Sequence, residues 1–160
     1  MKSLASVAAL AVLSFSACAH AQQPQNPVGP TDELTIASGD KTHAFKVELA
    51  DTPKEAEMGL MHRSSMPKDH GMIFDFRDRP ADQPVTMWMK NTLIPLDMLF
   101  IDREGKIVAI AENARPGSLR NVGPGFPVAS VLELNGGLTV ELGIKTGDTV
   151  GYDKLFGNGG

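Results

Sequence analysis

The feature that most constrains the fold is an alternation of apolar and polar residues with a period of two. Phe45, Val47 and Leu49 alternate with charged residues, as expected for a strand with one buried face. The segment Leu96 to Ile101 is nearly all apolar and predicts a strand covered on both faces. Val85 to Met89 alternates as well and predicts a short strand.

Two short breaks in this pattern favour helices. Thr52-Pro53-Lys54-Glu55 is a capping box with proline at the first helical position, which predicts a helix to about Met61. Gly137 to Leu142 predicts a second, single turn that Gly143 ends. Sixteen glycines and eleven prolines argue against a helix bundle. We therefore expect a mainly antiparallel β-sandwich or compact barrel of seven to nine strands, with one or two short helices at its ends.

The N-terminus has the pattern of a secretory signal. Lys2 precedes an apolar stretch from Leu4 to Ala17, and Ala19-His20-Ala21 supplies the small residues that signal peptidase requires. These features predict a signal peptide over residues 1–21 and an exported protein, periplasmic or secreted. The alternative is a lipoprotein, anchored at Cys18. Because Cys18 is the only cysteine, no disulfide is expected.

The rest of the chain is expected to form one domain. Residues 22–31 are rich in proline and predict a flexible tether, residues 32–153 the single β-domain, and residues 154–160 a flexible tail. Fifteen Lys and Arg against nineteen Asp and Glu give a net charge of −4. This balance disfavours a nucleic-acid partner, and the chain contains no transmembrane pattern beyond its first segment.

Several short motifs follow one another in a fixed order along the chain. They are Gly59-Leu60-Met61 with Arg63, Gly71-Met72 with Phe74, Trp88-Met89-Lys90-Asn91-Thr92, Ile94-Pro95-Leu96-Asp97, Leu132-Glu133-Leu134-Asn135 with Gly137, and Gly147-Asp148. With these motifs the chain resembles the domain of unknown function 192 (DUF192) family from about Phe45 to Asp153. The resemblance implies an all-β fold found in exported or stand-alone bacterial and archaeal proteins, and it implies no established activity.

The segment around Trp88 is a candidate ligand platform. Alternation places Trp88 and Lys90 on one face, followed by a turn that contains Asn91. An aromatic face stacks on a flat ring, while an amine and an amide fix it by hydrogen bonds. The alternative is that Trp88 packs in the core and Asn91 only makes the turn.

Two acidic residues lie within apolar strands. Asp97 shares a face with Leu99, and a buried carboxylate there needs partners, of which Arg63 is the strongest candidate. This pair is either a structural clamp or part of a ligand site. Glu133 poses the same question on a later strand. If both carboxyls faced one cleft, the protein would be a candidate hydrolase.

Copper binding is a second alternative. Seven of the eight methionines lie between Met58 and Met98, and thioether and imidazole groups suit Cu(I). The same methionines also suit a hydrophobic core. The candidate ligands are Met61, His62, Met66, His70, Met87 and Met89.

The residues together favour a non-catalytic exported domain that binds a small molecule or a partner in the cell envelope. The predicted site lies near Trp88, Lys90 and Asn91, supported by Arg63 and Asp97, with Glu133 as a further candidate. No cofactor is expected, because the chain has no phosphate-binding glycine loop and no dinucleotide motif.

Overall fold

The computed structural model describes residues 28–157, so the predicted signal peptide, Cys18 and most of the predicted tether lie outside the described residues. No helix in the described part is long and apolar enough to cross a membrane. The elements are β1 (Asp32–Ser38), β2 (Lys41–Ala50), α1 (Pro53–Met58), β3 (His70–Asp75), β4 (Leu96–Ile101), β5 (Ile107–Ala114), β6 (Ser130–Asn135), α2 (Leu138–Leu142), β7 (Thr149–Gly151) and α3 (Asp153–Phe156).

The strands form one curled sheet that resembles half a barrel, in the order β5-β4-β6-β3-β2-β1-β7. The prediction of a mainly β fold with short helices is confirmed. Its strands pair antiparallel except β2 with β3, which run parallel. Parallel neighbours need a crossover rather than a tight turn, and the segment with α1 supplies it.

The capping box of α1 forms as predicted. The backbone N–H of Glu55 donates to Thr52 Oγ1, and the Glu55 carboxylate accepts from the Thr52 N–H at 3.1 Å. The helix ends at Met58, three residues before the predicted end, because Gly59 adopts a φ of 46°. The predicted turn at α2 also forms, and Gly143 ends it.

The sheet buries apolar side chains on both of its faces, as the composition of β4 predicts. Pairing sets Ile73, Leu132 and Leu99 side by side on one face, here called the Leu99 face. The other face carries Met98 with its cross-strand neighbours and is called the Met98 face. Because alternate side chains point in opposite directions, neighbouring residues of β4 belong to separate apolar clusters.

The segment 85–89 is not a strand, so that prediction is wrong. Met87 exchanges two backbone hydrogen bonds with Val122, and the Met89 N–H donates to Ser118 O at 3.0 Å. The predicted alternation nevertheless holds, since Val85, Met87 and Met89 are buried and the residues between them are exposed. Alternation of apolar and polar residues indicates that one side of a segment is buried. A segment that packs across the Met98 face without joining the sheet is buried on one side in the same way.

Candidate functional site

Glu133 is the most unusual polar residue in the described part of the chain. It lies in β6 on the Met98 face, directly between Met72 of β3 and Met98 of β4. Its residue surface is only 4% exposed, and burial raises the pKa of its carboxyl to about 8. Within residues 28–157 its carboxyl group has no hydrogen-bond partner, which is uncommon for a side chain so little exposed.

The side chain of Glu133 reaches a small cavity, here called the Glu133 pocket. Its volume of about 20 Å³ is enough for one water molecule or for one small group of a ligand. The wall of the pocket combines apolar, thioether and aromatic residues with Thr92 and the exposed Glu57. Its wall includes Gly59, Met61, Phe74, Met87, Trp88 and Thr92.

Two connecting segments build the mouth of the Glu133 pocket. The first follows α1 and turns at Gly59, where an added Cβ would lie 3.3 Å from the Phe74 ring. The second, here called the Trp88 segment, comprises residues 85–92, of which Met87, Trp88 and Thr92 line the pocket. The two are joined where the His62 N–H donates to Asn91 O at 2.9 Å and Asn91 Nδ2 donates to Met61 Sδ at 3.9 Å. These bonds hold the two walls in fixed positions over the sheet.

Trp88 lies at the surface of this mouth. Its exposed fraction is 42%, which contradicts the alternative that it packs in the core. Lys90 Nζ lies 5.0 Å from the centroid of the Trp88 ring, within the range of a cation–π contact. The two residues predicted to form a ligand platform are therefore neighbours, and Trp88 also lines the Glu133 pocket.

Arg63 does not pair with Asp97, so this predicted clamp is wrong. Arg63 is buried and forms a bidentate ion pair with Glu48 of β2, in which Nη2 lies 2.9 Å from Oε2. Gly29 N also donates to Glu48 Oε2, at 2.7 Å. Burial raises the pKa of Glu48, but the bonds from Arg63 and Gly29 outweigh it and lower that pKa below its ordinary value. The pair joins the segment after α1 to the sheet.

Asp97 is fully buried on the Leu99 face and has a complete set of partners. It accepts hydrogen bonds from the backbone N–H groups of Asn113 at 2.7 Å, Gly137 at 2.8 Å and Thr139 at 2.8 Å. The Thr139 hydroxyl donates a fourth bond at 2.7 Å. This carboxylate ties β4 to the end of β5 and the start of α2, so its role is structural.

Asp97 and Glu133 are not brought together. Asp97 pairs with Leu134, and the next residue, Met98, pairs with Glu133, so the two carboxyls point to opposite faces of the sheet. A hydrolase that uses this pair of acids is therefore excluded by geometry.

The copper ligands predicted from sequence are only partly brought together. Met61 and Met87 line the Glu133 pocket, while Met89 is fully buried and packs in the apolar cluster of the Met98 face. Met66 lies next to Asn135, and His70 Nδ1 is 2.8 Å from an Asp69 oxygen. His62 adopts a φ of 64° beside Met61. Residues 28–157 hold no group of three His, Cys, Asp or Glu side chains suited to a metal.

The structure adds residues to the site that sequence reasoning missed. Met72 and Met98 flank Glu133 across two strand pairs, and Thr92 and Phe74 share its cavity. The sequence shows that Glu133 interrupts an apolar strand. Its neighbours can be identified only when the register between the strands is known, because they come from segments 35 to 61 residues away in the sequence.

Most of the described chain matches one known protein family. The DUF192 family model, described as "Uncharacterized ACR", matches residues 34–152. No protein with a curated function matches the chain.

Two solved structures are similar over most of the chain. A protein described as a candidate transcription regulator from Sinorhizobium meliloti 1021 is 44% identical, with a TM-score of 0.71 over 78% of this chain and 97% of that one. A protein of unknown function from Novosphingobium aromaticivorans DSM 12444 is 36% identical, with a TM-score of 0.73 over 89% of this chain and 100% of that one.

Proposed function

The chain belongs to the DUF192 family, and we propose that this member is a non-catalytic module that binds a small molecule at the Glu133 pocket. One observation carries the proposal: a buried carboxyl without a hydrogen-bond partner in the described chain faces a cavity that opens beside an exposed tryptophan. Burying such a group costs free energy unless a partner satisfies it. A ligand that supplies this partner recovers that free energy on binding.

The pKa of Glu133 indicates which ligand group fits. With a pKa of about 8, the carboxyl is mainly neutral at pH 7 and can donate one hydrogen bond as well as accept others. A neutral hydroxyl or amide suits it better than a second acid. The body of the ligand would lie at the mouth, against the ring of Trp88 and near the ammonium group of Lys90.

Trp88 is the only tryptophan in the chain, so its fluorescence reports directly on this site. We would titrate the protein with a panel of monosaccharides, short-chain alcohols and amides. The expected result is a saturable change in Trp88 emission with at least one compound. Binding should persist in Glu133→Gln, which keeps the hydrogen-bonding group, and should be lost in Glu133→Leu.

Failure of every panel compound to change the emission would count against the proposal. So would equal affinity in the Glu133→Leu variant, because a ligand indifferent to this carboxyl does not use the pocket. Thermal unfolding of both variants checks that each is folded.

A soft metal ion is a second candidate occupant, and the surroundings of Glu133 support it. Met61 and Met87 share its cavity, and Met72 and Met98 are its cross-strand neighbours. Thioethers are ligands for Cu(I). Anaerobic titration with Cu(I) should then give a stoichiometric complex that Met61→Leu with Met87→Leu abolishes and Met66→Leu preserves. Absence of a complex excludes this candidate.

Export of the protein also remains a proposal, supported by the pattern of residues 1–21. In cell fractions, the mature protein should appear outside the cytoplasm, and its mass should equal that of a chain that starts at Gln22. The mass of a chain that starts at an acylated Cys18 would instead indicate a lipid anchor. A full-length cytoplasmic protein would contradict both. In either exported form the partner would be a small molecule or a component of the envelope.

The description of the Sinorhizobium meliloti relative suggests regulation of transcription as a further possibility. A net charge of −4 disfavours contact with the phosphates of DNA. We therefore retain small-molecule binding as the proposed function.

A further inference from the structure

A second and larger cavity lies at the edge of the sheet that β5 forms. It has a volume of about 460 Å³ and lies between β5 and the loop of residues 115–124. β5 is an outer strand that pairs with β4 alone among the described strands. The floor of the cavity is apolar and includes Phe100, Ala109, Ala111 and Val122. We call this cavity the arginine cleft, because Arg115 and Arg120 also line it.

The two arginines of the cleft differ from all other arginines in residues 28–157. Arg63 pairs with Glu48 and Arg77 with Asp75, Arg79 lies over the Phe76 ring, and Arg103 donates to a backbone oxygen. The side chains of Arg115 and Arg120 make no hydrogen bond or ion pair within that range, and both are exposed.

The charge of the cleft is not balanced locally. None of the residues that line it is acidic. Two guanidinium groups therefore stand beside an apolar floor with no carboxylate among them. Guanidinium groups bind carboxylate and related anions with paired hydrogen bonds.

The loop that carries the arginines is fixed in place. The Gly117 N–H donates to Thr92 O at 3.1 Å, and Ser118 and Val122 bond to Met89 and Met87. At Gly123 an added Cβ would lie 2.5 Å from Val85 O, so this close approach requires glycine. The cleft is therefore formed before any ligand arrives, which lowers the cost of binding.

From these observations we propose that the arginine cleft binds a small amphiphilic carboxylate. The carboxylate head lies at Arg115 and Arg120, and the apolar body lies over Phe100, Ala109 and Ala111. A volume of about 460 Å³ falls within the range typical of sites for small organic ligands. The inference does not rest on the Glu133 pocket, which is lined by different residues.

Binding of anilinonaphthalene sulfonate, a fluorescent amphiphilic anion, tests this proposal on the full chain. The dye should bind saturably, and decanoate should displace it. Decanol lacks the charge and acetate lacks the apolar body, so neither should displace it at the same concentration. The double variant Arg115→Gln with Arg120→Gln should bind the dye at least about tenfold more weakly.

A matched control separates a specific site from general attraction. Lys41→Gln with Lys54→Gln removes the same charge from exposed positions outside the cleft and should leave the affinity unchanged. Equal weakening in both double variants, unchanged affinity in the arginine variant, or displacement by decanol as efficient as by decanoate would each overturn the proposal. Absence of dye binding to the unmodified protein would also overturn it. Thermal unfolding establishes that both variants are folded.

Discussion

Asp97 and Glu133 are two buried carboxyls on adjacent strands of one sheet, yet their surroundings are opposite. Asp97 accepts four hydrogen bonds and joins three parts of the chain. Glu133 has none within the described residues and faces a cavity. The comparison shows that burial alone does not distinguish a structural acid from an acid that is open to a ligand. The number of partners does, since a satisfied group has no capacity left for a ligand.

The largest effect should come from removing the satisfied carboxyl. Asp97→Ala leaves three backbone N–H groups and the buried Thr139 hydroxyl without their acceptor, and we expect the free energy of unfolding to fall by about 3–5 kcal/mol. Urea unfolding monitored by circular dichroism measures it. A loss below about 1 kcal/mol would mean that water replaces these bonds readily.

The pH dependence of stability should identify Glu133. Its pKa is about 8 in the folded protein against an ordinary value of 4.5, so the folded state holds a proton that the unfolded state has released. Stability should therefore fall as pH rises through this window, by up to about 1.4 kcal/mol per pH unit, and level off above pH 8. Urea unfolding from pH 5 to 9 measures the slope.

Glu133→Leu is the matched control for this slope, because it removes the titrating group. The variant should be more stable than the unmodified protein at pH 9, and their difference should shrink as pH falls to 5. If the two proteins lose stability in parallel between pH 5 and 8, another group is responsible and Glu133 is not held neutral.

A smaller effect should follow from removing one partner of Asp97. Thr139→Val deletes the hydroxyl bond but leaves three backbone donors, and a loss of about 1–2 kcal/mol is expected. Thr139→Ser, which keeps the hydroxyl, should recover part of this loss. Equal losses in the two variants would show that the threonine methyl group, and not the bond, matters.

The smallest effect belongs to the mouth of the Glu133 pocket. Lys90→Gln removes the cation beside Trp88 at an exposed site, and stability should change by less than about 1 kcal/mol. The emission of Trp88 should nevertheless shift. A large loss of stability would show that the mouth supports the fold, and would weaken the contrast between the two acids.

Local features of the fold could be predicted from the sequence. The capping box at Thr52 depends only on residues close together in the sequence, and it is confirmed. The burial of both faces of β4 follows from its nearly continuous apolar residues, and it is confirmed as well. The segment 85–89 shows the limit of this reasoning. Its alternation predicts which residues are buried, but it contains no information on whether the backbone joins a sheet.

The candidate site was harder to predict because its contacts connect distant segments. Arg63 was expected to pair with Asp97 but pairs with Glu48 in β2, the strand that runs parallel to β3. Nothing in the sequence near Arg63 specifies that arrangement. In the same way, the methionines beside Glu133 depend on the register of β6 with two other strands.

The Glu133 pocket takes its floor from a central strand and most of its walls from the two connecting segments that carry Met61 and Trp88. A change in either segment alters the shape of the mouth without disturbing the pairing of the sheet. If the pocket binds a ligand as proposed, relatives that keep the same scaffold could exchange one ligand for another by substitutions confined to these two segments.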